Sequence, residues 1–325
     1  MRQAGRYLPG YRRIRASKSI VDVIKDPRLA VEVVTEPVEA FNFDAAIVFS
    51  DIILPLQGMG VDVKLEEGVG PVLEKGFKPS AVDKISEGNP EEDMGYVLEQ
   101  IEVFKQSHNV PLIGFSGAPF TLASYIVEGG YSRGFSETKR FMFERTEKWF
   151  ELMSKLTSNT AKYLNSQIRA GVDAVQLFDS WVGALSPADY AEYVEPFNTR
   201  LANSVKGVPR IYFGTESAGL LHRLRQLDFE VVGVDWRSEI SAAWRVLGDG
   251  KAVQGNLDPA ALLGGKAHAL RRTKEILDSV KGRVGHIFNL GHGVLPSTEP
   301  AVVEEVVKFI HEYTLEHASK VNGDE

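Results

Sequence analysis

Seven short runs rich in Val, Ile, Leu and Phe recur along the chain, at 44–51, 110–117, 173–180, 210–215, 231–236, 252–257 and 285–293. Each is about the length of one strand. They are continuously apolar rather than alternating, which is the pattern of strands covered on both faces by helices, so a parallel sheet is expected. Helical patterns fill the intervals, among them 137–171, 186–205, 258–280 and 299–317. Two of these open on Ser186-Pro187 and Asp258-Pro259, a capping residue followed by proline at the first helical position. Between 210 and 252 the runs start 21 residues apart, room for a minimal βα unit and no more.

Seven strands alternating with helices predict a single (β/α)8 barrel over 1–325 with its first strand incomplete. The chain opens on MRQAGRY, where a βα loop would lie, so upstream residues are expected. A doubly wound sheet would share the periodicity, but no glycine-rich phosphate turn follows any run. Residues 61–77, with glycine at their middle, read as a hairpin inserted after the first run.

Composition narrows the function. The chain is 43% hydrophobic and 25% charged, without an apolar stretch of membrane-spanning or signal-peptide length, so a cytoplasmic protein is expected. It has no cysteine, which removes disulfides, thiolate nucleophiles and thiolate metal sites. A net charge of −7 argues against nucleic acid as partner. Yet Arg2, Arg6, Arg12, Arg13 and Arg15 crowd the first fifteen residues, with no acidic residue until Asp22.

In a (β/α)8 barrel the active site lies at the C-terminal ends of the strands. The runs end on polar residues there: Asp51, Ser116, Asp179 with Ser180, Thr215, Asp235 with Trp236, Asn256 with Asp258, and Asn289 with His292. Singly, each reads as a cap or a loop hydrogen bond; together they point to a site. Asp258 and Ser186 are set aside as caps. Asp51 stands between two apolar runs with no Lys or Arg until Lys64, so its carboxylate should be partly buried and in need of donors. His292 is flanked by glycines that let a ligand approach. The other six histidines read as helix or loop residues, and none has the spacing of a zinc helix. Tyr125 reads equally as a core aromatic or a site residue.

MRQAGRY (1–7), FSDI (49–52), SGAPFTLASYIVEG (116–129), FDSWVGALSP (178–187), VQGNLDP (253–259) and NLGHG (289–293) together resemble the uroporphyrinogen decarboxylase family, in order, from Met1 to about residue 315. Phe120, where that family commonly has tryptophan, and a looser segment after NLGHG are small departures. The resemblance implies a homodimer that converts the four acetates of uroporphyrinogen III to methyl groups without metal or prosthetic group. It also implies Asp51, Arg2, Arg6 and Tyr125 as catalytic residues, and Gln3, Arg15, Ser180 and His292 as substrate contacts.

Clustered arginines suit an octacarboxylate, and an ionised Asp51 suits four pyrrole N–H groups. Arg12 and Arg13 read only as a solvated cationic face. Two rivals remain. One is a zinc- and corrinoid-dependent methyltransferase of the same superfamily, disfavoured by the absence of cysteine; the other is a non-catalytic barrel that binds tetrapyrroles or other polyanions.

Overall fold

The computed structural model describes residues 5–66, 70–73 and 75–321. In chain order the strands are β1 (Ala46–Ile47), β2 (Val63–Glu66), β3 (Gly70–Leu73), β4 (Leu112–Gly117), β5 (Ala174–Asp179), β6 (Arg210–Gly214), β7 (Val231–Gly233), β8 (Ala252–Gln254) and β9 (His286–Ile287). Before β1 lie α1 (Pro9–Arg15), α2 (Ile20–Lys25) and α3 (Pro27–Phe41), and before β4 lie α4 (Pro90–Asp93) and α5 (Gly95–Ser107). Then come α6 (Pro119–Glu128), α7 (Ser136–Glu144), α8 (Thr146–Ala170), α9 (Pro187–Tyr193), α10 (Glu195–Ser204), α11 (Leu221–Leu224), α12 (Ile240–Leu247), α13 (Gly265–Ser279) and α14 (Pro300–Val321).

All seven apolar runs became strands of one sheet, ordered β1-β4-β5-β6-β7-β8-β9 and parallel throughout. The expected insertion is an antiparallel hairpin of β2 and β3. The sheet curls strongly: the Gln254 side chain of β8 donates to Gln176 of β5 at 3.1 Å, across its concave face. Phe178 packs edge-on against Phe115 and Phe213 on the same side. Since side chains alternate along a strand, Val175, Leu177 and Asp179 turn outward to the helices.

The main core joins this outer face to α5, α6, α8, α10 and α12, with Trp149, Tyr212 and Trp244 nearly inaccessible. A second cluster, containing Tyr7, Leu8, Tyr11, Phe41, Leu257, Val294 and Val302, joins the N-terminal segment to α3, the end of β8 and α14. Helix α14 packs on both α13 and α3, so the helical layer runs on from the last strand to the first.

Two patterns read as single helices are interrupted. Residues 186–205 break at Val194 (φ −131°, ψ −47°), because Pro196 lacks the N–H that would reach Glu192. Residues 137–171 break at Arg145, where the Thr146 hydroxyl donates to the Met142 carbonyl at 3.1 Å in competition with the helix's own amides. The caps held: Ser186 accepts from the Asp189 amide and Asp258 from the Ala260 amide. The placing of the remaining histidines on helices and loops failed at His286. That residue opens β9, half-buried, and donates from Nε2 to the Gly255 carbonyl at 2.9 Å.

Candidate active site

The segment that carries Arg6 lies near the rim of the sheet, where Tyr7, Leu8 and Tyr11 join a cluster with Leu257 beyond β8 and Val294 beyond β9. Tyr7 and Leu8 are buried and Pro9 opens α1, while Arg6 stays exposed. Helix α1 has no side-chain cap of its own. Glu36 of α3 supplies one, its carboxylate accepting from the Gly10 amide at 2.6 Å and the Tyr11 amide at 3.0 Å. A Cβ at position 10 would fall 2.5 Å from that carboxylate, so this approach requires glycine.

Tyr11 meets Phe49 just beyond β1, with ring centres 6.0 Å apart. On the other side Arg12 donates to the Arg6 carbonyl at 2.5 Å and reaches the Pro296 carbonyl at 3.4 Å. Arg13 is exposed, as expected of a solvated cationic face, 3.7 Å from Glu32, whereas Arg12, also exposed, in addition ties the segment to the loop after His292. Arg15, on the last turn of α1, donates to the Lys18 carbonyl. Arg2 and Gln3 lie outside the described residues.

Asp51 follows β1, half-buried as expected. Its Oδ1 accepts from the Ile53 amide at 3.2 Å, which orients the carboxylate. The next carbonyl, of Ile52, accepts from the Gly117 amide at 3.3 Å, so the Asp51 turn lies over the end of β4.

Helix α6 begins directly after β4 and buries Tyr125, whose ring faces Trp181 at 5.8 Å. Trp181 follows Ser180, and the Thr215 hydroxyl donates to the Ser180 carbonyl. Phe135 and the exposed Tyr131 extend this aromatic wall. His292, also exposed, meets Trp236 edge-on at 6.2 Å, and Arg237 lies 4.1 Å over the other ring of that pair. The NLGHG segment approaches so closely that a Cβ at Gly291 would sit 2.5 Å from the Trp236 nitrogen.

Arg6, Asp51, Tyr125, Ser180 and His292 thus share the C-terminal end of the sheet. Several strand-end candidates do not face its interior. Ser116 has the register of Gly114, whose Cβ direction meets Gln167 of α8. Asp235 is buried and holds the Glu216 and Arg237 amides and the Arg237 guanidinium, and Asn256 spans the Asp235 and Ser238 carbonyls.

Asp179 is fully buried behind β5, accepting from Thr121 and Tyr212 at 2.8 Å each and from Asn198 at 3.4 Å. Burial pushes its carboxyl above the usual range, against the pull of those donors. Trp181 was missed as a wall residue, although its place after Ser180 was a signal. Among the described residues no group of three or more His, Cys, Asp or Glu is placed to hold a metal ion, and no helix is long and apolar enough to cross a membrane.

A family model described as uroporphyrinogen decarboxylase (URO-D) matches residues 1–313. The chain belongs to the uroporphyrinogen decarboxylase family. A uroporphyrinogen decarboxylase of Roseiflexus sp. (strain RS-1) is 47% identical over 326 residues, covering 97% of this chain and 94% of the relative. One from Streptomyces coelicolor is 45% identical over 318 residues, covering 97% and 89%. Among solved structures, a methyltransferase from Methanosarcina mazei superposes with a TM-score of 0.77 at 19% identity, covering 90% of this chain and 87% of the other, a likeness of fold alone. The segments that carry the resemblance to the uroporphyrinogen decarboxylase family fall on one rim: FSDI beyond β1, FDSW at the end of β5, VQGN at the end of β8 and NLGHG beyond β9.

Proposed function

We propose that this chain decarboxylates the four acetate side chains of uroporphyrinogen III, giving coproporphyrinogen III for haem biosynthesis. In this reading it is a cytoplasmic homodimer, each subunit a single (β/α)8 barrel, acting without metal or prosthetic group. Membership of the uroporphyrinogen decarboxylase family supports the substrate, and the curl of the sheet with α14 returning onto α3 supports the barrel. The observation that carries the mechanism is the oriented, half-buried Asp51 at the C-terminal rim, beside Tyr125's helix and the arginine segment.

The chemistry follows from the substrate. Four pyrrole N–H groups point to the ring centre, where only an acceptor satisfies them, and an ionised Asp51 is that acceptor. Loss of CO2 from an acetate leaves an electron pair that needs a sink. Protonation of a pyrrole carbon makes the ring itself cationic, so it takes those electrons. The C–CO2 bond breaks and its electron pair neutralises the ring, leaving an exocyclic methylene. Protonation of that carbon makes the methyl group, and loss of the proton first placed on the ring carbon restores the aromatic pyrrole, so one proton is consumed and one CO2 released per acetate.

Asp51 stabilises the cation in a site of low dielectric. Arg2, Arg6 and Arg15 bind the peripheral carboxylates, with Arg2 or Arg6 near the proton transfer and Gln3 alongside. Tyr125 and Ser180 hydrogen-bond substrate or Asp51, and His292 takes a propionate. Propionates survive because one more methylene separates their carboxylates from the sink.

Anaerobic incubation with uroporphyrinogen III in EDTA, with products oxidised and separated by carboxylate number, tests the reading. Species with seven, six, five and finally four carboxylates are expected. A folded protein that leaves the octacarboxylate unchanged overturns it.

A further inference from the structure

Asp179 lies outside the proposed catalytic set, on the helix-facing side of β5, and its hydrogen-bond donors Thr121, Asn198 and Tyr212 are all neutral. Burial of a carboxyl among neutral donors is costly and calls for a reason. Its contacts supply one. Thr121 donates its hydroxyl to Asp179 Oδ1 at 2.8 Å, and the same hydroxyl oxygen accepts the Trp181 amide at 3.3 Å. Thr121 is one helical turn before Tyr125 on α6, and Trp181 directly follows Ser180.

The other carboxylate oxygen is fixed by the Tyr212 hydroxyl of β6 and the Asn198 amide of α10, which also reaches the Tyr190 hydroxyl of α9 at 3.3 Å. Burial first, and the neighbouring Asp179 second, push the Tyr212 hydroxyl well above its ordinary pKa, so it remains a donor. Asp179 thus sits where β5, β6, α6, α9 and α10 meet. Two further bonds close the arrangement: the Ala118 amide donates to the Phe178 carbonyl at 2.8 Å, and Thr215 to the Ser180 carbonyl.

We propose that Asp179, acting through Thr121, is a positioning residue that holds Tyr125 and the Ser180–Trp181 turn in fixed relation for catalysis. Asp179 touches neither substrate nor reacting atoms. It anchors the Thr121 hydroxyl, and that hydroxyl couples the helix carrying one site residue to the turn carrying the other. A displacement of about 1 Å at a site group can cost about a hundredfold in rate, so a buried, multiply bonded anchor one shell behind it has a kinetic consequence beyond stability.

The inference rests on the decarboxylase reading, and its test separates the two. Thr121→Val removes the coupling hydroxyl at nearly constant volume, Thr121→Ser restores it, and Asp179→Asn replaces one acceptor oxygen by a donor that faces the Asn198 amide. Each folded variant is assayed for kcat and KM with uroporphyrinogen III and for hydrogen exchange at the Trp181 amide.

Thr121→Val is expected to exchange faster at Trp181 and to lose about tenfold or more in kcat with a smaller change in KM, with Thr121→Ser returning both toward wild type. Asp179→Asn should follow Thr121→Val. An active wild type whose Thr121→Val and Asp179→Asn variants keep its kcat overturns the positioning role, whatever their melting temperatures. A wild type without turnover overturns the decarboxylase reading instead. In that case unaltered Trp181 exchange in Thr121→Val independently overturns the coupling, and faster exchange upholds it.

Discussion

Removing the Glu36 carboxylate should loosen the arginine segment from its base. Helix α1 spans seven residues, too short to persist without outside support. Its first amides depend on a carboxylate from α3, at 2.6 Å from Gly10 and 3.0 Å from Tyr11. Charge-assisted bonds of this kind contribute roughly 1.5–3 kcal/mol each when dry, but water reaches the half-buried Glu36 and replaces part of the loss.

A net cost of about 2 kcal/mol for Glu36→Ala is the result, close to the upper range for a helix N-cap. If α1 opens locally, amide exchange at Gly10 and Tyr11 should accelerate by about 30-fold, the factor that 2 kcal/mol implies. Glu36→Gln keeps one acceptor and should lie between. Hydrogen exchange resolved at these amides is the assay, with KM for uroporphyrinogen III measured in parallel and expected to rise as Arg6 loses its fixed position. Wild-type exchange at both amides in Glu36→Ala would refute the reasoning.

Gly291→Ala drives a Cβ to 2.5 Å from the backbone nitrogen of Trp236. It should destabilise the fold by about 1–3 kcal/mol in a denaturant titration and weaken substrate binding by displacing His292; unchanged stability contradicts the approach. His286 supplies a pH signature. Burial lowers its pKa in the fold, against the Gly255 carbonyl bond, while the unfolded value stays near 6.5. Its share of stability is therefore fully present above about pH 6.5 and lost as pH falls toward the folded value. His286→Gln keeps a donor without a titrating charge, so its stability should decline less than that of the wild type between about pH 7 and pH 5, and equal slopes would count against the assignment.

Much of the fold could be read from the residues because burial on both faces leaves a continuous apolar run. The segments around Val48, Phe115, Leu177, Tyr212, Val232, Val253 and Ile287 all became strands or their extensions. Glycine at the middle of 61–77 marked the hairpin. What escaped detection depended on contacts distant in sequence.

Ser180 and Asp179 are adjacent polar residues at one strand end, and only alternation against real neighbours sends Asp179 to Tyr212 and Asn198 behind the sheet. Asp235 and Asn256 likewise became loop anchors. Glu36 gave no sign of capping a helix 26 residues earlier. The Asp51 expectation held for burial because an apolar run on each side constrains the turn between them.

The most direct measurement compares Asp51→Asn with wild type in anaerobic single-turnover decarboxylation of uroporphyrinogen III, with coproporphyrinogen affinity measured on the same preparations. The substitution keeps size and an acceptor oxygen but removes the charge that stabilises the protonated pyrrole. The first decarboxylation is expected to slow by about a hundredfold or more while the folded variant still binds product. Decarboxylation at the wild-type rate in Asp51→Asn would contradict the central role of that carboxylate.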